Sequence, residues 1–247
     1  MIERVYRKAC KAAAYPLGLT PFMGTITSVR AKKPSIALTF DDGPDPKWTP
    51  VLLDLLKTRG VKATFFVIGA SCEKYPGIIN RAVSEGHSIC NHGWSHSSLP
   101  MLSRVEQVQE ILKCKAVLGE RGSNFFRPPY GHQTFRSRWA ARVASQHVVT
   151  WSGHVEDWRK QSVEGLYQRL LSELVPGAII LLHDAIVVGP GVVPGPDLQM
   201  DRGVVFDALD LVLAKSSARF EFVTLPDLIQ QGRPKRESWY AFSKSVA

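Results

Sequence analysis

The chain lacks any run approaching the roughly 20 apolar residues that a membrane-spanning helix requires, so none of its 247 residues reads as a transmembrane segment. It also lacks a C-x-x-C pair. Cys10, Cys72, Cys90 and Cys114 stand far apart, which excludes a disulfide framework and reads as buried thiols in a reducing compartment. Met1 to Gly18 has no continuous apolar core, because Glu3, Arg4, Arg7, Lys8 and Lys11 interrupt it. That makes a poor secretory signal, but it suits a basic amphipathic helix on the outside of the domain or on a membrane surface. No internal repeat and no dividing linker are evident. With 45% hydrophobic and 21% charged residues, disorder, collagen-like repeats and coiled coil are excluded as well.

Basic residues are in surplus. Lysine plus arginine minus acidic residues is 31 − 22 = +9, which favours anionic partners without choosing among nucleic acid, phosphorylated lipid and polyanionic glycan. No recognition-helix, zinc-finger or RNA-binding signature accompanies the charge, so no nucleic-acid partner is expected.

Short apolar runs alternate with amphipathic segments. Ser35–Phe40, Ala63–Gly69, His87–Asn91, Asn124–Arg127, His147–Ser152, Gly177–His183 and Phe220–Leu225 read as strands, being rich in valine, isoleucine and phenylalanine. Thr49–Thr58, Tyr75–Ser84, Arg104–Glu120, Phe135–Ser145, Val163–Leu174 and Val204–Ser216 read as helices, with Ser103 and Glu106 forming a capping box before the third. This alternation predicts an α/β fold with parallel strands and right-handed crossovers, in one barrel-like domain. Residues 34–232 form that domain in this reading, between a basic extension over 1–33 and a tail over 233–247. The long glycine- and proline-rich stretch from Ile186 to Asp201 reads as an irregular loop of functional interest.

Polar clusters follow the strands. Asp41-Asp42-Gly43-Pro44 follows the first, His92-Gly93-Trp94-Ser95-His96 the third, and Arg127-Pro128-Pro129-Tyr130-Gly131 the fourth. Trp151 and then Asp157-Trp158 follow the fifth, and His183-Asp184 ends the sixth. In a βα barrel the carboxyl ends of the strands share one face, so all five clusters converge on one rim. His92 and His96 lie four residues apart and could reach one ion. A carboxylate from the first strand would complete a two-histidine, one-carboxylate set with an open position. Of the adjacent aspartates, one can bind metal while its neighbour serves as a base. Taken singly, the two histidines also fit a surface pair, and the Asp-Asp-Gly-Pro run also fits a plain turn.

Together with Lys62-Ala63-Thr64-Phe65-Phe66-Val67 and Leu181-Leu182-His183-Asp184, these motifs resemble the polysaccharide deacetylases of carbohydrate esterase family four, the NodB-homology domain. The resemblance covers Ser35 to Asp184 and, more weakly, extends to Leu225. It implies a distorted (β/α) barrel of about seven parallel strands. It implies removal of acetyl from an N-acetylhexosamine unit of an oligo-, poly- or lipid-linked saccharide. It further implies Asp41 as general base and Asp42, His92 and His96 as ligands of a divalent ion, zinc first, with cobalt, nickel and manganese as alternatives. Arg127 would orient Asp41, the Tyr130 N–H would serve the oxyanion, and Asp157 would hold His183 as general acid in front of Trp158. Pro128, Tyr130, Trp158 and Leu182 would contact substrate, Leu182 at the acetyl methyl.

The chain departs from the family pattern twice. Gly93 stands where serine or threonine is usual, so the histidine loop lacks a steadying hydroxyl, and His154 stands where an aspartate is usual. Two other functions remain open on these residues: hydrolysis of a formamide or imide, and glycan binding without catalysis. The expected location is cytoplasmic or at the inner membrane face, with an N-acetylated saccharide as substrate and contact with a lipid carrier through the basic N-terminus.

Overall fold

A computed structural model describes residues 24–188 and 195–238. In chain order the strands are β1 (Thr25–Ala31), β2 (Ser35–Asp41), β3 (Thr64–Val67), β4 (Ser88–Asn91), β5 (Gly122–Phe126), β6 (His147–Val148), β7 (Gly153–His154), β8 (Ile179–His183), β9 (Glu221–Val223) and β10 (Gly232–Glu237). The helices are α1 (Trp48–Thr58), α2 (Gly69–Lys74), α3 (Pro76–Ser84), α4 (Arg104–Leu118), α5 (Phe135–Val143), α6 (Val163–Glu173), α7 (Gly203–Ser216) and α8 (Leu225–Gln230).

Seven parallel strands in the order β6-β5-β4-β3-β2-β8-β7 form a curled half-barrel, in agreement with the α/β barrel expected from the sequence. β9 adds to the same edge of β2 as β3, nearer the start of the strand. Every residue of β2 is buried, as suits a parallel strand with protein on both faces. Alternation then sorts the strand residues. Ile36, Leu38 and Phe40 of β2, with Ile180 and Leu182 of β8, face outward into the large core beneath α1, α6 and α7. Ala37, Phe66, Cys90 and Ile179 face inward, into a smaller apolar plug inside the curl.

The expected capping box of α4 is present, and a second one, Thr134 with Ser137, opens α5. The cysteines among the described residues, Cys72, Cys90 and Cys114, are buried and unbridged; Cys10 lies outside those residues. No described helix is long and apolar enough to cross a membrane.

The sequence reading left residues 25–31 in an N-terminal extension and residues 233–237 in a tail, yet the two pair as an antiparallel ribbon, β1 with β10. Ile26 and Val29 join the inner plug, and β1 bridges Val149 on one side and Ala178 on the other. The ribbon therefore seals the amino-terminal end of the curl. Gly177 permits this approach: its φ is +80°, and a Cβ there would lie 1.7 Å from the Val29 carbonyl oxygen. With one end sealed, the inner face is open at the carboxyl ends of the strands.

Candidate active site

Above the plug, the inward positions turn polar. Arg127 is fully buried and its guanidinium lies over the Phe66 ring, 4.0 Å from the centroid, so the cation roofs the apolar plug. Its Nη1 donates to Asp41 Oδ1 at 2.6 Å and to Thr39 Oγ1 at 2.9 Å, while Nη2 donates to the Thr150 carbonyl at 2.8 Å. Burial lowers the pKa of this guanidinium, and the Asp41 carboxylate opposes that shift. Asp41 is thereby fixed through one oxygen. Its other oxygen, Oδ2, lies 3.7 Å from His92 Nε2.

Asp42 comes next, in a left-handed backbone conformation at φ +77°, which turns its side chain away from that of Asp41. The turn packs on Asp184 so closely that a Cβ at Gly43 would lie 2.2 Å from Asp184 Oδ2. The Asp-Asp-Gly-Pro run thus has a packing reason as well as a chemical one. Asp42 Oδ2 accepts from the Val187 N–H at 3.1 Å. Asp42 Oδ1 is buried and makes no hydrogen bond, although His96 Nε2 stands 3.0 Å away and His92 Nε2 3.4 Å away.

That orphaned oxygen decides what the cluster can do. His92 Nδ1 lies 2.8 Å from the Arg127 carbonyl oxygen, which only accepts, so Nδ1 carries the proton and Nε2 presents a lone pair. One carboxylate oxygen and two imidazole nitrogens, all on buried residues and mutually within 4.8 Å, are a fitting donor set for a divalent ion. Burial resists ionisation of Asp42, but the imidazoles of His96 and His92 beside it outweigh that and hold this carboxyl well below the usual range.

On the opposite side, His183 closes β8. Its Nδ1 lies 2.8 Å from Asp157 Oδ1, and its backbone N–H donates to Asp157 Oδ2 at 2.8 Å. Burial disfavours a charged imidazole here, but Asp157, with Asp42 and Asp41 beyond it, pushes His183 up to about 9. Trp158 stands edge-on to His183, with centroids 5.6 Å apart. Tyr130 has its backbone at φ +59° and packs its half-exposed ring on His96, centroids 4.5 Å apart, while Pro128 is buried beside it.

The residues singled out in the sequence therefore gather at one rim, with one exception. Leu182 is fully buried in the outer core, because it neighbours His183 on the strand and so points to the opposite face of β8. It has no surface on the cleft. Other parts of the site carried no sequence signal. Arg202, also fully buried, donates to Asp157 Oδ2 at 2.5 Å and to the backbone carbonyls of Asp157 and His183. Glu110 of α4 accepts the N–H groups of Trp94 and Ser95, and Asn91 accepts that of Gly93. These carboxylate and amide oxygens hold the histidine loop where the family hydroxyl is missing. Gly93 itself sits at φ +85°, a region where glycine is unstrained. His154 stacks on Trp158 at 15° between ring planes. The Ile186–Asp201 loop is described only in part, and its residues 189–194 lie outside the described set.

A family model described as polysaccharide deacetylase matches residues 28–149. A peptidoglycan-N-acetylglucosamine deacetylase of Bacillus cereus is 37% identical over 83% of this chain and 71% of its own length. A chitooligosaccharide deacetylase of Azorhizobium caulinodans is 32% identical over 83% of this chain and 99% of its own. Among solved structures, a peptidoglycan N-acetylglucosamine deacetylase crystallised with a naphthyl N-hydroxybenzamide superposes with a TM-score of 0.75. It is 32% identical, over 90% of this chain and 100% of that one.

Proposed function

The chain belongs to the polysaccharide deacetylase family, and from that premise we propose that it is a metal-dependent hydrolase. In this reading it removes the N-acetyl group from an N-acetylhexosamine unit of an oligo-, poly- or lipid-linked saccharide. The orphaned Asp42 oxygen facing two histidine nitrogens, between Asp41 and His183, carries the reading. Asp42, His92 and His96 would hold the ion, zinc first. Such an ion, when bound, supplies Lewis acidity to a carbonyl and lowers the pKa of a water.

The chain's own side chains divide the proton work. Asp41, anchored by Arg127 through Oδ1, takes the proton of the attacking water. The Tyr130 N–H, aimed by its left-handed backbone, donates to the developing oxyanion. An amine leaves an acetamide only when protonated, and His183 supplies that proton. Its Nδ1–H is committed to Asp157, so Nε2–H is the one delivered. Trp158 and Pro128 wall the sugar. Leu182, being in the outer core, has no part.

The case for a glycan-binding protein without catalysis rested on Gly93 and His154. The acceptors of Glu110 and Asn91, which hold the loop at Gly93, and the stacking of His154 on Trp158 favour the catalytic reading. Acetate release from N-acetylglucosamine oligomers and from lipid-linked N-acetyl sugars tests the reading. Release is expected to stop with a chelator, to return with added zinc, and to fall by about a thousandfold or more in Asp41→Asn. Chelator-resistant release, or full activity in Asp41→Asn, would overturn it.

A further inference from the structure

Two site loops run straight into an apolar surface that the proposed chemistry does not use. Met101 comes five residues after His96, Phe135 five after Tyr130, and α4 and α5 then lead away side by side. Each helix turns an apolar stripe outward. Val105 of α4 is 66% exposed, and Trp139 and Val143 of α5 are 57% and 53% exposed. Between the helices lies a groove of about 710 Å³, lined by these residues and edged by Arg104 and Arg136. The buried face of α5 is Ser137, Arg138, Ala140 and Ala141, so its large apolar side chains have been placed on the outside. Exposed aromatic and aliphatic groups with cations around them mark an interaction surface.

From this geometry we infer that the α4–α5 face docks on an anionic lipid bilayer. Charge selects the occupant. Arg104 and Arg136 edge the groove, and Arg142 is exposed at the far end of α5. A second copy of the chain would bring these arginines against one another, at a cost of several kcal/mol for like charges in contact. The segment over 1–23 is of the same sign as the groove. It carries Arg4, Arg7, Lys8 and Lys11 against Glu3, so its charge does not complement the groove's arginines. Anionic headgroups complement all of these charges. Tryptophan between an apolar surface and arginines is well suited to the boundary of a membrane. The substrate cleft opens beside this face, so docking presents it to saccharide at the bilayer surface.

The test uses the full chain with vesicles of phosphatidylglycerol and phosphatidylcholine, and with phosphatidylcholine alone. Sedimentation with the anionic vesicles is expected, weakening with salt and absent on phosphatidylcholine. Trp139→Glu with Val105→Glu is expected to abolish it. Arg104→Gln and Arg136→Gln, which leave the apolar stripe intact, are each expected to weaken it by about fivefold. Unchanged thermal melting would show that the variants remain folded. Binding that persists in Trp139→Glu with Val105→Glu, or that is lost only when residues 1–23 are removed, overturns the inference. So does failure of the parent chain to bind vesicles, including the case where it instead self-associates through Trp139.

Discussion

Arg202 and Asp157 form an ion pair in which both side chains are fully buried, Nη2 to Oδ2 at 2.5 Å. Because Asp157 Oδ1 faces His183, the arginine positions the histidine through the carboxylate. Removing one partner of a buried pair leaves an uncompensated charge, which costs about 3–5 kcal/mol. Arg202→Met is expected to lose stability of that order in chemical denaturation and to lower kcat. Double variants identify the cause. With Asp157 already Asn, Arg202→Met should cost far less, because removing the arginine then strands no carboxylate partner.

The same cluster predicts how stability depends on pH in metal-free protein. His183 is raised to about 9 when folded, so its contribution is complete below its unfolded value of about 6.5 and is lost as pH rises through 9. Asp157 is lowered: burial works against its charge, but His183 and then Arg202 outweigh burial. Its contribution is present above about 3.9 and fades as pH falls through the depressed folded value. The pair therefore stabilises most between about pH 4 and 6.5. Chemical denaturation across pH should show a fall of on the order of 3 kcal/mol towards pH 10. A flat alkaline limb in Asp157→Asn checks the assignment.

Divalent ions should stabilise the folded chain, because Asp42, His92 and His96 are brought together only on folding. At a hundred times its dissociation constant a ligand adds about 2.7 kcal/mol, visible as a rise in Tm. His96→Ala and Asp42→Asn are each expected to abolish that rise, and this readout needs no substrate. An equal rise in His96→Ala would place the ion elsewhere.

Strand ends were legible in the sequence because parallel strands buried on both faces are almost wholly apolar, so a polar cluster at such an end stands out. That brought Asp41, Asp42, His92, His96, Arg127 and His183 forward. Arg202 was not legible, since one arginine in a loop looks like any solvated cation until Asp157 is seen beside it. Glu110 was hidden for a similar reason, reading as an ordinary polar position on a helix. The β1–β10 ribbon escaped because its pairing spans nearly the whole chain and GRPKRE carries no apolar alternation. Leu182 was misplaced by ignoring the two-residue period that its neighbour His183 sets.

Glu110 gives a prediction on the departure at Gly93. Its carboxylate accepts two backbone N–H groups and the Ser95 hydroxyl, all within the loop between His92 and His96. Glu110→Ala should weaken binding of the ion by about 10- to 100-fold, as expected for loss of a group that orients ligands. Competition with a chelating dye measures it. Gly93→Ala should cost about 1–2 kcal/mol from its left-handed backbone, since the space around it is ordinary, with Glu110 Oε2 3.5 Å from the added Cβ.

His154 and Trp158 stack with centroids 5.8 Å apart, and Trp158 stands edge-on to His183. The imidazole thus supports one face of the indole that walls the proposed acid. An aromatic pair of this kind contributes about 0.5–1.5 kcal/mol beyond its buried area. Without it Trp158 gains rotational freedom, and the barrier to chemistry should rise by a similar amount. His154→Ala is expected to lower kcat/KM by about 2- to 10-fold. The affinity for the divalent ion should be unchanged, because the His154 ring packs on Trp151 and Trp158, which are not among the proposed ligands. His154→Phe keeps a flat ring and should recover most of the loss. If alanine and phenylalanine were equally impaired, or if the alanine variant lost the ion, His154 would act through something other than stacking.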